Sequence, residues 1–311
     1  VKLSGQLENK IAVVTGGGRG IGRGVALFLA REGAKLVVAD PGSDLDGSGS
    51  SNSVADSVVK EIHEQGGAAV SSYESVATMS GGEAIINKAL DTFGKLDIVV
   101  TCAGVLRDRM IFNMTEEEWD SVIAVHLKGT FTIVKHAAIL FRQQRSGRII
   151  TFSSESGLMG NSGQANYGAA KSGIAGFTKV VARDMGKYGV TANSIAPRAN
   201  TRMISAIPDS ASEIRASQGV EPISGDDELR LTHPDAIAPF VGYLASDYAA
   251  NVNGQTFLVY GGTISLISQP RAERSIFNEG NRWDLTTLST LSSNYLTKDI
   301  SNPAPPQSKK H

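Results

Sequence analysis

Cysteine is almost absent from this chain: Cys102 is the only one in 311 residues. A single thiol excludes an intrachain disulfide and a cysteine-built zinc site. An excess of charge of either sign is missing too, with 30 Lys+Arg against 31 Asp+Glu and a formal net charge of −1. That balance gives no electrostatic basis for binding nucleic acid or an anionic membrane. Nor does any apolar run approach the roughly 18 residues a membrane helix needs. The first residues carry no basic segment followed by an apolar stretch, so the expectation is a soluble intracellular protein that is not secreted. What is present is ordinary for such a protein. Hydrophobic residues make up 41% and charged residues 20%, enough to bury a sizeable core in one large domain or two small ones.

Short β-branched runs alternate with helical patterns. Strands are read at Lys10–Thr15, Lys35–Asp40, Ala69–Tyr73, Asp97–Thr101, Arg148–Phe152, Val190–Ile195 and Thr256–Val259. Helices are read at Gly20–Arg31, Ser53–Gln65, Glu83–Phe93, Thr115–Phe141 and Gln164–Lys187. Repeated β-α units of this length imply a parallel sheet covered by helices on both faces. Strands that are apolar almost throughout suit burial on both sides. The expected fold is therefore α/β, a doubly wound parallel seven-stranded sheet, with residues 5–264 as one domain. Three segments break the pattern. Pro41–Ser53 is a Gly/Ser/Asp loop too polar to be core, and residues 202–232 are weakly periodic and sit where a lid would lie. Residues 265–311 form a C-terminal extension with one helix around Leu285–Tyr295 and a last stretch, Ser301–His311, expected to be disordered.

The glycine turn after the first strand points to a dinucleotide. Gly16, Gly20 and Gly22 give the pattern G-x-x-x-G-x-G, with Arg19 and Ile21 inside it. Such a turn lets the backbone approach a pyrophosphate at a helix N-terminus, where free N–H groups and the macrodipole favour anions. Asp40 closes the second strand, 18 residues after the last glycine. A carboxylate there can accept from both adenosine ribose hydroxyls and repels a 2′-phosphate, which favours NAD over NADP. Arg19 pulls the other way, since a cation inside the turn can meet that phosphate.

Tyr167 and Lys171 are four residues apart in Asn166-Tyr167-Gly168-Ala169-Ala170-Lys171. On a helix that spacing puts phenol and ammonium on one face, about one turn apart. A free tyrosine titrates near about 10, and a cation beside it favours the phenolate, bringing proton exchange within reach. Packing alone also places tyrosine and lysine at this spacing, so the pair acquires meaning from its company.

That company resembles the short-chain dehydrogenase/reductase family, a Rossmann-fold family. The glycine turn, Tyr167 and Lys171 are joined by Ser154, 13 residues before the tyrosine as in that family. The resemblance runs from about Leu7 to Gly262 and implies a nicotinamide-dependent oxidoreductase. Tyr167 would be the general acid/base, Ser154 would orient the substrate oxygen, and Lys171 would bind the nicotinamide ribose and lower the tyrosine pKa. Ser75 and Val76 match the pair that contacts adenine, and Pro197, Ala199 and Thr201 match the segment that reaches the nicotinamide. Two positions depart from the pattern. Thr101-Cys102-Ala103-Gly104 replaces the usual Asn-Asn-Ala-Gly at the end of the fourth strand, where cofactor contacts are largely backbone and steric; Cys102 reads as a small buried hydrophobe. His126 replaces the asparagine of the catalytic tetrad. It is read either as a substitute in the proton relay, with a pH dependence of its own, or as a packed structural histidine. After the sixth strand, Arg198 stands in place of glycine in the common Pro-Gly opening.

Several segments are similar to the dehydrogenase domain of peroxisomal multifunctional enzyme type 2 and its bacterial homologues. These are Asp40–Asp44 with its long loop, Tyr73–Val76, Val105–Arg109, Gly160–Tyr167 and Thr201–Met203. The resemblance implies a (3R)-hydroxyacyl-CoA dehydrogenase, with a hydroxysteroid or other bulky secondary alcohol as the alternative substrate. A catalytically inactive dinucleotide-binding sensor is the reading from a different class. Gly-Gln-Ala-Asn-Tyr also occurs in 3-oxoacyl-ACP reductases, and Asp40 argues against that branch. Arg107 and Arg109 read as a solvated turn, with recognition of an anionic CoA ester as the alternative. The family also implies a homo-oligomer, dimer or tetramer, through the two long helices. The ending Lys-Lys-His differs from a peroxisomal Ser-Lys-Leu signal, so the expectation is a stand-alone bacterial cytoplasmic enzyme.

Overall fold

The structure, a computed structural model, describes residues 5–199, 233–280 and 282–304. Thr201, the segment 202–232 and residues 305–311 lie outside the described residues. Within the main body the chain alternates as β1 (Ile11–Thr15), α1 (Gly20–Arg31), β2 (Lys35–Ala39), α2 (Ser53–Glu64), β3 (Ala69–Ser72), α3 (Met79–Phe93) and β4 (Ile98–Thr101). It continues as α4 (Glu116–Ile123), a π-helical turn (Ala124–Lys128), α5 (Gly129–Gln144), β5 (Gly147–Phe152), α6 (Glu155–Met159), α7 (Ala165–Gly186) and β6 (Val190–Pro197). The last elements of this body are α8 (Ala238–Ala245), β7 (Thr256–Tyr260) and β8 (Thr263–Leu266).

The sheet order is β3-β2-β1-β4-β5-β6-β7-β8. The register aligns Val13 with both Val37 and Val99 in a parallel ladder. Successive strand residues point to opposite faces, so an apolar run feeds two cores at once. Val14, Val38, Val100 and Ile150 join one core with residues of α1, α2 and α8. Their neighbours Val13, Val37, Val99 and Ile149 join the other with residues of α3, α5 and α7. This is why the strands read as continuous rather than alternating.

The expected seven strands are eight. β8 pairs antiparallel with β7, Tyr260 opposite Thr263, and it straddles the expected domain boundary at 264. The two-residue Gly261-Gly262 turn, with Gly261 at φ +48°, closes this hairpin. Three other boundaries differ from the sequence reading. α3 starts at Met79 rather than Glu83, because the Thr78 hydroxyl accepts from Gly81 N at 3.0 Å and caps a first turn whose glycines hide the helical period. α6 is too short to show a period. The long helix expected over Thr115–Phe141 is present but interrupted by the π turn. Its start is fixed by a capping box between Thr115 and Glu118, a device that contributes about 1 kcal/mol.

By length and composition the continuous helix Glu116–Gln144 would suit a membrane. Its lysines and histidines kept this from view in the sequence, and its apolar side (Ile133, Val134, Ala137 and Phe141) is buried in the sheet core. Core packing accounts for that apolarity. Residues 268–304 belong to a second compact unit. In it α9 (Leu285–Leu291) is capped by Asp284, whose Oδ1 accepts from Thr287 N at 2.9 Å, and continues into a π turn at Ser292–Leu296.

Candidate active site

Strand order reverses between β1 and β4, and a crevice opens there at the carboxyl ends of the strands, as ligand sites in such sheets do. The turn after β1 lies directly against the end of β4. Gly16 has φ +63°, and a Cβ on it would sit 2.8 Å from both N and Cα of Ala103. α1 begins just beneath this turn and has no acidic residue in its first turn, so its N–H groups and dipole present an anion site. Asp40 is held at the cleft by two amides, Oδ2 accepting from Gly18 N at 3.0 Å and Oδ1 from Gly42 N at 2.8 Å. Arg19 Nη1 donates to Ser43 O at 2.9 Å.

Gly16, Arg19, Gly20, Ile21, Gly22, Asp40, Ser75, Val76, Cys102, Ala103 and Gly104 all line this one cleft. Burial pushes the Cys102 thiol up to about 12 against the pull of Lys171, so it is no thiolate. The cleft has a wall that sequence reasoning missed: Pro41, Ser43, Asp44, Leu45 and Gly47 of the polar loop. This loop crosses to the segment after β4, where Leu106 N donates to Leu45 O at 3.0 Å and Arg107 Nε to Asp46 O at 2.8 Å. Arg107 thus has a structural task in the turn. Arg109 Nε is paired with Glu118 Oε1 at 2.7 Å. β6 ends at Pro197, and Ala199 follows it as a buried residue of the core.

Tyr167 and Lys171 lie on the first turns of α7, with the lysine Nζ 5.5 Å from the centre of the phenol ring. Polar side chains fix the start of this helix. Asn166 Oδ1 accepts from Tyr167 N at 2.7 Å, and its Nδ2 donates to Arg107 O and Glu118 O. Gln164 accepts from Ser156 Oγ at 2.7 Å and donates to Asp108 Oδ2 at 2.7 Å. Ser154 caps α6, its Oγ accepting from Ser156 N at 3.2 Å, and lies close enough to the Tyr167 phenol to lower its pKa, so the three expected residues are brought together. Lys171 Nζ donates to Phe152 O at 2.7 Å. Burial pushes Tyr167 up to about 12; Ser154 works against that rise and Asp108 adds to it. Burial drives the Lys171 ammonium down to about 8. The phenol therefore moves opposite to the expected lowering by Lys171, because desolvation dominates its environment.

His126 lies at the centre of the π turn and is only 2% exposed. Its ring meets that of Tyr167 edge-on, with centroids 5.1 Å apart and planes at 89°. Nε2 faces the Val105 backbone, 2.8 Å from Val105 O, to which it donates in one tautomer, and 3.1 Å from Val105 N, from which it accepts in the other. A Cβ on Gly104 would lie 2.3 Å from His126 Cε1, so the glycine makes room for the imidazole. Burial, reinforced by Lys171, lowers the His126 pKa from 6.5 to about 3. The ring therefore stays neutral near pH 7, and its titration falls outside the working range. Between pH 6.5 and 3 the unfolded chain binds a proton that the folded chain refuses, so stability falls as pH drops, by about 1.4 kcal/mol per unit. From pH 7 to 5 this contribution is roughly 2 kcal/mol. Denaturant unfolding at the two pH values should show His126→Asn losing less stability than wild type by about that amount.

Fold and site together define an oxidoreductase that uses a nicotinamide dinucleotide and acts on a CH–OH group. Residues 16–263 match the family described as Enoyl-(Acyl carrier protein) reductase. Hydroxyacyl-CoA dehydrogenase ChsB1 of Mycobacterium tuberculosis is 42% identical over 297 residues, 93% of this chain and 89% of that protein. Peroxisomal multifunctional enzyme type 2 of Mus musculus is 38% identical over 277 residues, 89% of this chain and 35% of that protein. The crystal structure of a short chain dehydrogenase from Mycobacterium avium matches with a TM-score of 0.80 at 40% identity, covering 97% of this chain and 99% of that one. The chain belongs to the short-chain dehydrogenase/reductase family.

Proposed function

We propose that the protein is an NAD-dependent dehydrogenase of 3-hydroxyacyl-CoA. The observation that carries the chemistry is the convergence of Ser154, Tyr167 and Lys171 at the carboxyl ends of the strands. The dinucleotide fits the cleft: the glycine turn is a cradle that a Cβ would fill, and Asp40 is oriented by two amides. When bound, the nicotinamide supplies the hydride acceptor. Ser154 holds the reacting oxygen, Tyr167 exchanges its proton, and Lys171 supplies positive charge beside the phenol. Asp40 supports NAD, and Arg19, already donating to Ser43 O, is drawn toward the loop rather than left for a 2′-phosphate. The acyl-CoA assignment rests on the relatives named for that substrate, ChsB1 and, for its dehydrogenase domain, the mouse enzyme.

We assign the catalytic domain to residues 5–266, extending the expected boundary at 264 to the end of β8, and a cytoplasmic setting to the enzyme. The outer faces of α5 and α7, where Phe131, Ile139 and Val180 are exposed, suit a homo-oligomer contact. A panel of 3-hydroxyacyl-CoAs and hydroxysteroids with NAD and NADP, read as absorbance of the reduced cofactor, tests the proposal. The acyl-CoAs with NAD should give the highest kcat/KM; a preference for steroids overturns the substrate assignment. Asp40→Ala should erode the NAD preference about 10- to 100-fold, the worth of hydrogen bonds to a charged acceptor.

A further inference from the structure

Arg198 grips Glu155 with both arms of its guanidinium. Nε donates to Oε2 at 2.9 Å and Nη2 to Oε1 at 2.6 Å. The same guanidinium lies over the Tyr260 ring, 4.8 Å from its centroid, and Arg198 N donates to Val259 O at 2.9 Å. The cation is thus fixed from the sheet side by backbone and by an aromatic face. What it holds is the residue immediately after Ser154.

That residue needs holding. α6 has five residues, none of them buried, too few to support a helix on their own. On the other side of Ser154, Ser153 is anchored twice: its Oγ donates to Lys171 O at 2.8 Å and its N to Ile195 O at 2.8 Å. Ser154 therefore stands between two tethered neighbours, one bound to the helix of Tyr167 and Lys171, the other to Arg198. A two-pronged charge-assisted contact restrains direction as well as distance, which a single hydrogen bond does not. Both partners are partly exposed, at 38% and 25%, so the pair contributes little to global stability. Its consequence is geometric.

We propose that Arg198 is a positioning residue: braced by Tyr260 and acting through Glu155, it sets the Ser154 hydroxyl against the Tyr167 phenol. The inference rests on the catalytic assignment of Ser154 and Tyr167 above. A misplacement on the order of 1 Å at such a site costs about a hundredfold in rate.

The test is a kinetic set on the full-length enzyme: Arg198→Ala, Arg198→Lys, the exchange Arg198→Glu with Glu155→Arg, Ser154→Ala, and Ser154→Ala combined with Arg198→Ala. Arg198→Ala should lower kcat about 10- to 100-fold, with the NADH dissociation constant and the melting temperature nearly unchanged. Arg198→Lys and the exchanged pair should each recover part of the loss. In the Ser154→Ala background, Arg198→Ala should cost nothing further, because its effect passes through the missing hydroxyl. A merely structural role would multiply the two losses. Arg198→Ala within twofold of wild type, or full additivity with Ser154→Ala, overturns the brace. A Ser154→Ala variant with wild-type turnover instead overturns the catalytic reading on which it rests.

Discussion

Replacing Tyr167 by phenylalanine should lower turnover between about a hundredfold and ten-thousandfold, the range that a positioned acid/base contributes. The variant keeps the ring that packs edge-on against His126 and loses one oxygen. Dinucleotide affinity, measured by fluorescence titration, should therefore stay close to wild type, while turnover of any secondary alcohol or ketone collapses. An active Tyr167→Phe enzyme would remove the phenol from the reaction altogether.

The pH profile follows from the same pair. Alcohol oxidation needs the phenolate with the lysine still charged, a form one proton short of the fully protonated pair. That first proton leaves near pH 8, from Lys171, and the second near 12, from Tyr167. Below 8 the active form increases tenfold per pH unit; between the two values its share is constant, since it competes with a form of equal proton count. The logarithm of kcat/KM for oxidation should thus rise with unit slope and flatten near pH 8. Carbonyl reduction uses the phenol as the acid beside a charged lysine, so it should be flat below pH 8 and fall above it. A break near pH 6.5 in either direction would return His126 to the relay, which its burial opposes.

Most of the sheet was legible because strands such as β1 (IAVVT) and β4 (IVVT) are dense β-branched runs that end at the glycine turn or at Cys102-Ala103-Gly104. Asp40 and the glycines of the turn were legible for a related reason. They are backbone requirements, and glycine at 16 and 22 advertises them wherever the rest of the chain lies. Residues whose task depends on a distant partner were not legible. Arg198 and Glu155 are separated by 43 positions, and nothing local in either segment announces the contact. The polar loop after Asp40 read only as too polar to be core, yet its carbonyls at 45 and 46 are tied across the cleft. His126 shows both limits. The family resemblance put it at the tetrad's asparagine position, while its depressed basicity arises from burial, which only the packing of Gly104 and Val105 around the ring reveals.

Gly22→Ala should abolish dinucleotide binding and destabilise the fold, and Gly18→Ala should do neither to the same degree. A Cβ on Gly22 would lie 2.1 Å from Gly16 O, 2.8 Å from Gly16 C and 3.2 Å from Gly17 Cα. All three obstacles are backbone of the turn itself, so no rotamer can relieve the clash. Either α1 withdraws or the turn opens, and both displace the N–H groups that face the cleft. Overpacking of this kind typically costs about 1–3 kcal/mol, and more where the backbone cannot yield. At Gly18 the obstacles are side-chain atoms, Val54 Cγ1 at 2.4 Å and Asp40 Oδ2 at 2.9 Å. These can rotate aside, so Gly18→Ala should fold normally and weaken binding only through the displaced Asp40 carboxylate. Equilibrium unfolding and NADH titration of the two variants side by side separate these outcomes. Equal behaviour would mean that the turn tolerates a backbone shift of several tenths of an ångström, and that contact of α1 with the turn is not what shapes the phosphate site.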